Sequence, residues 1–351
     1  VLIPLGVLGN IAYTLLATDR AALAAIEHFP IGYLALAAGL GLFPWIPSTL
    51  RLLVWTRFLG LGIGVRDAVR MTLVVDLGSA VSLTAVGGDV FRWGMLMQRG
   101  VAPGTAASLS ILSKIEDAAF FAIAVPAAFI ATASWKQPAI RWLLSRLPTS
   151  LSGLAALAAA LVCGALLLRW LLVSGRLGER ARRTTASLTG RVGSQARRFL
   201  CDARAVFARI GRRGKARLLL TIPLAGLQWT ARYSVVTALF AFLGAPVDPV
   251  LFWLLQWVTF TIMSFVPTPG AVGGAEAAFT LLYAPLAPAG TIGLVTAAWR
   301  FLTFYLQAAL AAILFLVPLT PDRGSRRLPG SGGSADRSTP DWRGSAHRSP
   351  Q

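Results

Sequence analysis

Phe265-Val266-Pro267-Thr268-Pro269-Gly270-Ala271-Val272-Gly273-Gly274-Ala275-Glu276 sits between long apolar runs, and its two prolines, three glycines and one carboxylate interrupt them. In hydrocarbon every backbone N–H and C=O must be bonded internally. An irregular patch at membrane depth is therefore tolerated only where protein or a wet cavity surrounds it. Pro267 and Pro269 lack donors and end a helix, while Gly270, Gly273 and Gly274 permit positive φ and close backbone approach. Glu276 opens the next apolar run, where the positive end of a helix favours its charge. Two readings are open on these residues alone: a structured break at membrane depth, or an ordinary surface loop between spanning helices.

The surrounding composition places the patch in a membrane protein. The 351 residues are 56% hydrophobic and 13% charged, with mean hydropathy +0.67. A soluble domain carries about 25% charged residues, so this balance means a polytopic, all-α integral membrane protein. The net charge of +19 is concentrated in segments and sets topology; it does not point to nucleic acid. Cys163 in an apolar run and Cys201 in a basic one suggest no disulfide framework. His28 and His347 are the only histidines, so no His-based metal site is expected, and no cofactor motif is present. The chain opens directly in an apolar run at Val1–Ala17 with no basic segment before it, which reads as a first spanning helix and not a cleaved signal.

Further apolar runs follow at Ile31–Trp55 (interrupted by Pro44 and Pro47), Met71–Gly88, Thr105–Ala131, Leu151–Val173, Leu218–Leu243, Val250–Val266, Ala275–Leu286 and Thr291–Pro318. Arg51, Arg57, Arg66 and Arg70 read as a basic link, and Arg323 onward as a disordered tail, giving one membrane domain over 1–320 and a tail over 321–351. Between Ser174 and Arg217 twelve Arg and Lys215 face only Glu179 and Asp202, so this segment is cytoplasmic by the positive-inside rule. Val192, Phe199, Ala203, Val206 and Ile210 recur there at helical spacing, away from Arg197, Arg198, Arg204 and Arg209. The pattern suits an amphipathic helix on an anionic membrane surface or a solvated helical hairpin.

If every run spans, the 51–70 link falls on the side opposite the 174–217 segment. Treating 71–104 as a re-entrant hairpin from the cytoplasm and 250–286 as one from outside restores both basic segments and the tail to the cytoplasm. The expectation is six spanning helices plus two re-entrant helical hairpins, with both termini cytoplasmic. Transporters build substrate sites from such broken helices.

Charges at membrane depth cost about 2.5–3.5 kcal/mol each and usually face a cavity and pair. Asp76, Asp89, Arg92, Lys114, Glu116, Asp117, Arg232, Glu276 and Arg300 are the candidates. Lys114 and Asp117 lie three apart, which favours an internal ion pair, whereas Arg232 and Arg300 have no acid nearby in sequence. Several arginines in one polar groove suit an anionic lipid headgroup, because the guanidinium fork grips phosphate bidentately. Asp89 and Glu276 would neutralise those arginines when the groove is empty. No catalytic constellation stands out. A general acid/base role for Asp89 and Glu276 in a membrane transferase is the alternative, without a second acidic motif to hold a metal-bound donor.

The pattern resembles the flippase-like membrane domain at the N-terminus of lysylphosphatidylglycerol synthases, also found in stand-alone bacterial and archaeal proteins. Gly88-Asp89-Val90-Phe91-Arg92 with Gln98-Arg99-Gly100 is similar to that family's Gly-acid-x-x-Arg patch and basic-Gly turn. Ser113-Lys114-Ile115-Glu116-Asp117 falls where it tends to have Glu-Arg-Leu-x-Asp. Pro267 to Glu276 looks like its Pro-x-Pro-Gly-Gly-x-Gly-x-x-Glu signature, and Trp299-Arg300 like its late arginine. Ser113 replaces an acid and Ala271 a glycine. The resemblance covers roughly 1–318, without the cytosolic aminoacyl-transferring domain. It implies movement of a lipid (phospholipid, glycolipid carrier or hopanoid type) between leaflets of a bacterial or archaeal inner membrane. Asp89, Arg92, Lys114, Asp117, Glu276 and Arg300 would line the headgroup groove, with Gly87, Gly88, Pro267, Pro269, Gly270, Gly273 and Gly274 at its turns. Membrane lipids are the expected partners, a cytosolic glycosyltransferase held by 174–217 an alternative one, and no metal is expected.

Overall fold

A computed structural model describes residues 30–82, 87–133, 179–266 and 268–316. The runs at Val1–Ala17 and Leu151–Val173, Pro267 and the C-terminal tail lie outside the described residues. Within them the protein is helical, with no strand: α1 (Ile31–Leu42), α2 (Trp45–Leu59), α3 (Val65–Val81), α4 (Gly87–Gln98), α5 (Pro103–Ala131), α6 (Glu179–Arg213), α7 (Lys215–Phe242), α8 (Pro249–Met263), α9 (Gly274–Tyr283), α10 (Ile292–Arg300) and α11 (Leu306–Leu316). Short 3₁₀ turns cover Pro269–Ala271 and Ala284–Leu286, and a π-helical segment, Phe301–Tyr305, joins α10 to α11.

Among the described residues Ile31–Leu59 and Ile292–Phe315 are long and apolar enough to cross a bilayer. At 1.5 Å per residue α5 and α7 reach about 40 Å, also beyond the roughly 30 Å of hydrocarbon. Their composition is less apolar because α5 carries Lys114, Glu116 and Asp117 and α7 carries Gln228 and Arg232. Large apolar side chains point outward, among them Ile123, Ile130, Leu219 and Ile313, each more than half exposed. Such a surface suits lipid.

α3 and α4 are about 25 and 18 Å long and fold back on each other. Gly78 approaches Phe91 and Gly88, and the open end is clamped by Arg99 Nη2 donating to Asp67 Oδ1 at 2.6 Å. The hairpin therefore runs from Val65, earlier than the expected start at 71, and its return helix begins at Gly87. α8 and α9 form a second short hairpin. Its open end is tied by Tyr283 Oη, which donates to the Phe252 carbonyl at 2.9 Å and lies 3.1 Å from Gln256 Oε1; its tip packs Gly274 against Val266.

The 51–70 segment departs from the basic link expected of it. Arg51 and Arg57 belong to α2 and Arg66 and Arg70 to α3, so only residues 60–64 connect helices. Gly60 and Gly62 turn the chain there at positive φ. The stripe on α6 is divided: Phe199 is exposed and Val206 and Ile210 are not. Val206 and Ile210 are buried against Leu52, Trp55, Met71 and Leu109 of the protein's own core, while Arg197, Arg198, Arg204 and Arg209 are exposed.

α7 is the central helix. Its Tyr233, Val236 and Phe240 pack with Phe252 and Leu255 of α8, Phe279 and Tyr283 of α9, and Trp299 of α10 in the larger of two apolar cores. The second joins α2, α3, α4, α5 and α6. In the first hairpin a Cβ on Gly88 would stand 2.1 Å from the Val75 carbonyl oxygen, so that crossing requires glycine. Gly94 on the same helix has nothing within 4 Å of such a Cβ. Gly88→Val is expected to lower the Tm of the detergent-purified protein by several degrees or prevent its accumulation. Gly94→Ala should leave Tm unchanged or slightly raised, because Ala in a helix interior gains about 0.5–1 kcal/mol over Gly.

Candidate functional site

Helices of both cores wall a cavity of about 630 Å³. Its charged lining comprises Arg51 from α2, Asp76 from α3, Asp89 and Arg92 from α4, Lys114 and Asp117 from α5, and Arg232 from α7. Ser264 to Val266, Thr268, Gly270 and Ala271 supply the irregular wall. Four of the six expected headgroup residues, Asp89, Arg92, Lys114 and Asp117, thus share one chamber with Gly270 of the proline–glycine patch.

Three ionic clusters hold the surrounding helices. Arg51 is only 4% exposed, and all three of its guanidinium nitrogens are engaged. Nε donates to Glu116 Oε2 at 2.9 Å, Nη1 to Asp117 Oδ1 at 2.9 Å and Gln228 Oε1 at 3.0 Å, and Nη2 to the Ser113 carbonyl at 2.8 Å. Glu116 is fully buried and also accepts from Trp55 Nε1 at 2.6 Å. In the second cluster Arg92 Nη2 donates to Asp89 Oδ1 and, at 2.9 Å, to Ser110 Oγ. Lys114 Nζ lies 3.8 Å from Asp89 Oδ2. The expected Lys114–Asp117 pair is therefore replaced by two cross-helix pairs, Lys114 with Asp89 and Asp117 with Arg51. Tertiary partners win over a spacing of three because each offers a second helix to brace.

The third cluster belongs to the opening patch. Gly270 (φ 62°) and Gly273 (φ 85°) turn the chain into α9, where Glu276 occupies the first turn. Glu276 Oε2 accepts the Gly273 N–H at 2.7 Å, and its Oε1 accepts Arg300 Nε at 2.9 Å. Arg300 Nη2 donates to the Gly270 carbonyl at 2.7 Å, so one ion pair fastens both ends of the turn to α10. A Cβ on Gly270 would stand 2.4 Å from the Phe304 ring. Glu276 and Arg300 were expected to line the groove; they stand behind its irregular wall instead. Glu276 lines neither cavity, and Arg300 lines an adjoining chamber of about 110 Å³. Arg232, with no acid nearby in sequence, approaches Asp76 of α3 at 3.9 Å.

Arg51 is the site residue that sequence reading missed, along with Trp45 and Gln228. Arg51 followed an apolar run and preceded three more arginines, which reads as a helix end. No local signal in the sequence set Arg51 apart from Arg57, Arg66 and Arg70.

The family described as the lysylphosphatidylglycerol synthase TM region matches residues 1–311. The chain belongs to this family. It is also similar to a UPF0104 membrane protein of Archaeoglobus fulgidus, 22% identical over 284 residues, which cover 77% of this chain and 81% of the relative. Membership agrees with the all-α membrane architecture and makes Ala271 a notable residue. It takes φ 53° where the resemblance has glycine, a conformation that costs an L-residue about 1–2 kcal/mol.

Two outcomes are expected from these contacts. Arg51→Met leaves buried Glu116 and Asp117 uncompensated and should destabilise by about 3–5 kcal/mol. Adding Glu116→Gln and Asp117→Asn should restore most of the lost Tm in detergent. Ala271→Gly should raise Tm by about 1–3 °C, since relieved strain exceeds the added freedom of the unfolded chain.

Proposed function

We propose that this protein is a non-enzymatic lipid transporter that carries an anionic headgroup between leaflets through the larger cavity. One observation carries the reading: the cavity wall holds cations and donors that its own acids do not saturate. Lys114 and Arg232 stand 3.8 and 3.9 Å from their carboxylates, at the edge of ion pairing. Arg92 Nε, Arg232 Nε and Trp229 Nε1 are buried without a partner. A phosphodiester offers acceptors to the two loosely paired cations, and the volume is in the range of small-molecule sites. Phe265 on the same wall is 82% exposed and gives an apolar exit for acyl chains.

In this reading the two short hairpins are re-entrant from opposite faces of a bacterial or archaeal inner membrane, with both termini cytoplasmic. The exposed arginines of α6 then lie over the anionic cytoplasmic leaflet, where each basic side chain near the surface is worth about 1 kcal/mol. Movement is facilitated or coupled to an ion gradient.

Purified protein in liposomes with trace fluorescent phosphatidylglycerol and a membrane-impermeant quencher tests the reading. Wild type should exchange the lipid rapidly, and Arg232→Gln, Glu276→Gln and Arg300→Ala should slow exchange at least tenfold. Wild-type exchange no faster than in protein-free vesicles would sink it.

A further inference from the structure

Asp76 stands apart from the other acids that line or support the site. Glu116 and Asp117 accept from Arg51 at 2.9 Å, Asp89 is bound by Arg92, and Glu276 accepts from Arg300 at 2.9 Å. Asp76 has a different arrangement. Its near donor is the neutral Trp45 Nε1 at 2.5 Å, and its cation, Arg232, stays 3.9 Å away. Asp76 and Arg232 also lie on the walls of both the 630 Å³ and the 110 Å³ cavities, so they stand at the boundary between them. Asp76 is the one carboxylate that lines both of these chambers.

Resting on the anionic-headgroup reading, we propose that Asp76 is a proton-binding site exchanged against Arg232, so that the lipid oxyanion and a proton are carried together. When a phosphodiester oxygen takes the Arg232 guanidinium, Asp76 loses the one counter-charge it has among the described residues. An uncompensated carboxylate at this depth is costly, and a proton on Asp76 removes the cost. The charges balance: the headgroup brings one negative charge to Arg232, the proton brings one positive charge to Asp76, and no covalent bond other than O–H is made or broken. On release, Arg232 returns to Asp76 and the proton leaves.

The groups facing Asp76 permit this exchange. From α2 comes Arg51, saturated by Glu116, Asp117 and Gln228. From α4 come Asp89 and Arg92, bound to each other, and from α5 Lys114 and Asp117, held by Asp89 and Arg51. Arg300 of α10 lines the smaller chamber but is committed to Glu276 and Gly270. α11 contributes the neutral Gln307, and the 269–271 turn contributes no titratable side chain. Among the described residues, Arg232 is the cation paired with Asp76, and at 3.9 Å it can change partner without breaking a short ionic bond; the other loosely held cation, Lys114, is paired with Asp89.

The same pair is wired to a break in the fold. Arg232 Nη2 lies 3.5 Å from Gln307 Oε1, and Gln307 Nε2 donates to the Gly41 carbonyl at 2.6 Å. Gly41 is two residues before Phe43, where α1 gives way to α2, and its Cα faces the Leu302 carbonyl of the π-helical segment. Arg232 is therefore connected through Gln307 to the proline junction of α1 and α2 and to the π-helical segment.

Proton uptake on ligand binding tests the proposal without requiring transport. The full chain in detergent and weak buffer is titrated with short-chain phosphatidylglycerol. Binding is followed by intrinsic tryptophan fluorescence, to which Trp45 and Trp229 of the cavity wall contribute, and protons by an indicator dye. About one proton taken up per lipid bound is expected in wild type. The near-isosteric Asp76→Asn should bind with uptake reduced at least fivefold, and Arg232→Gln should lose binding itself. Wild-type binding without uptake, or equal uptake in Asp76→Asn, would overturn the role of Asp76 and leave the headgroup reading standing. No binding at any lipid concentration would overturn both. Uptake with soluble glycerophosphoglycerol but not with the lipid would keep the exchange and overturn the lipid as its cargo.

Discussion

A buried arginine is costly inside a helical membrane bundle unless its charge and donors are compensated, and Arg51 is where this protein meets that demand most fully. Two carboxylates, an amide and a backbone carbonyl surround its guanidinium. The acids come from α5 and the amide from α7, so neutralising one charge fixes the relative positions of α2, α5 and α7. The cavity exists between these helices because the pairing holds them in register. Small displacements would strand a buried charge at a cost of several kcal/mol.

The proline–glycine turn is held by the same physics with different parts. Its backbone lacks the internal bonding of a helix, and Arg300 restores part of it by donating to the Gly270 carbonyl while pairing with Glu276. Glu276 in turn accepts the Gly273 N–H, so the ion pair satisfies main-chain groups on both sides of the turn. A left-handed alanine at 271 persists because the turn around it is fastened this firmly.

Tight and loose pairs divide the labour. Arg51 and Arg300 are held by short contacts and serve the framework. Lys114 and Arg232 are held at the limit of ion pairing and face open volume. Charges with spare bonding capacity are those a ligand can engage without dismantling the fold, which is why the proposed headgroup site centres on them. Asp76, tied to a tryptophan N–H and a distant arginine, is the acid that such engagement would disturb most.

Composition alone was enough for an all-helical membrane protein, because hydrocarbon leaves the backbone few alternatives and the apolar runs are long. The irregular patch at 265–276 and its helix-starting carboxylate were legible for the same reason: proline and glycine state their backbone demands locally. The hairpin of α3 and α4 was visible as a weak apolar run rich in small residues, although its start was misplaced by six residues. The partners of the charges were not legible. Lys114 and Asp117 share a helical face, yet each is paired across helices, and Arg51 looked like a surface residue until α5 and α7 were packed against it. Likewise the stripe holding Val206 and Ile210 suited either a membrane surface or a solvated helical hairpin, and these two residues close the protein's own core. Amphipathic spacing says that one face must be covered but not by what. Ion pairing and helix packing are properties of three-dimensional neighbours dozens to hundreds of residues apart, so the chain determined which charges enter the membrane, and only the tertiary structure decided which of them remain available.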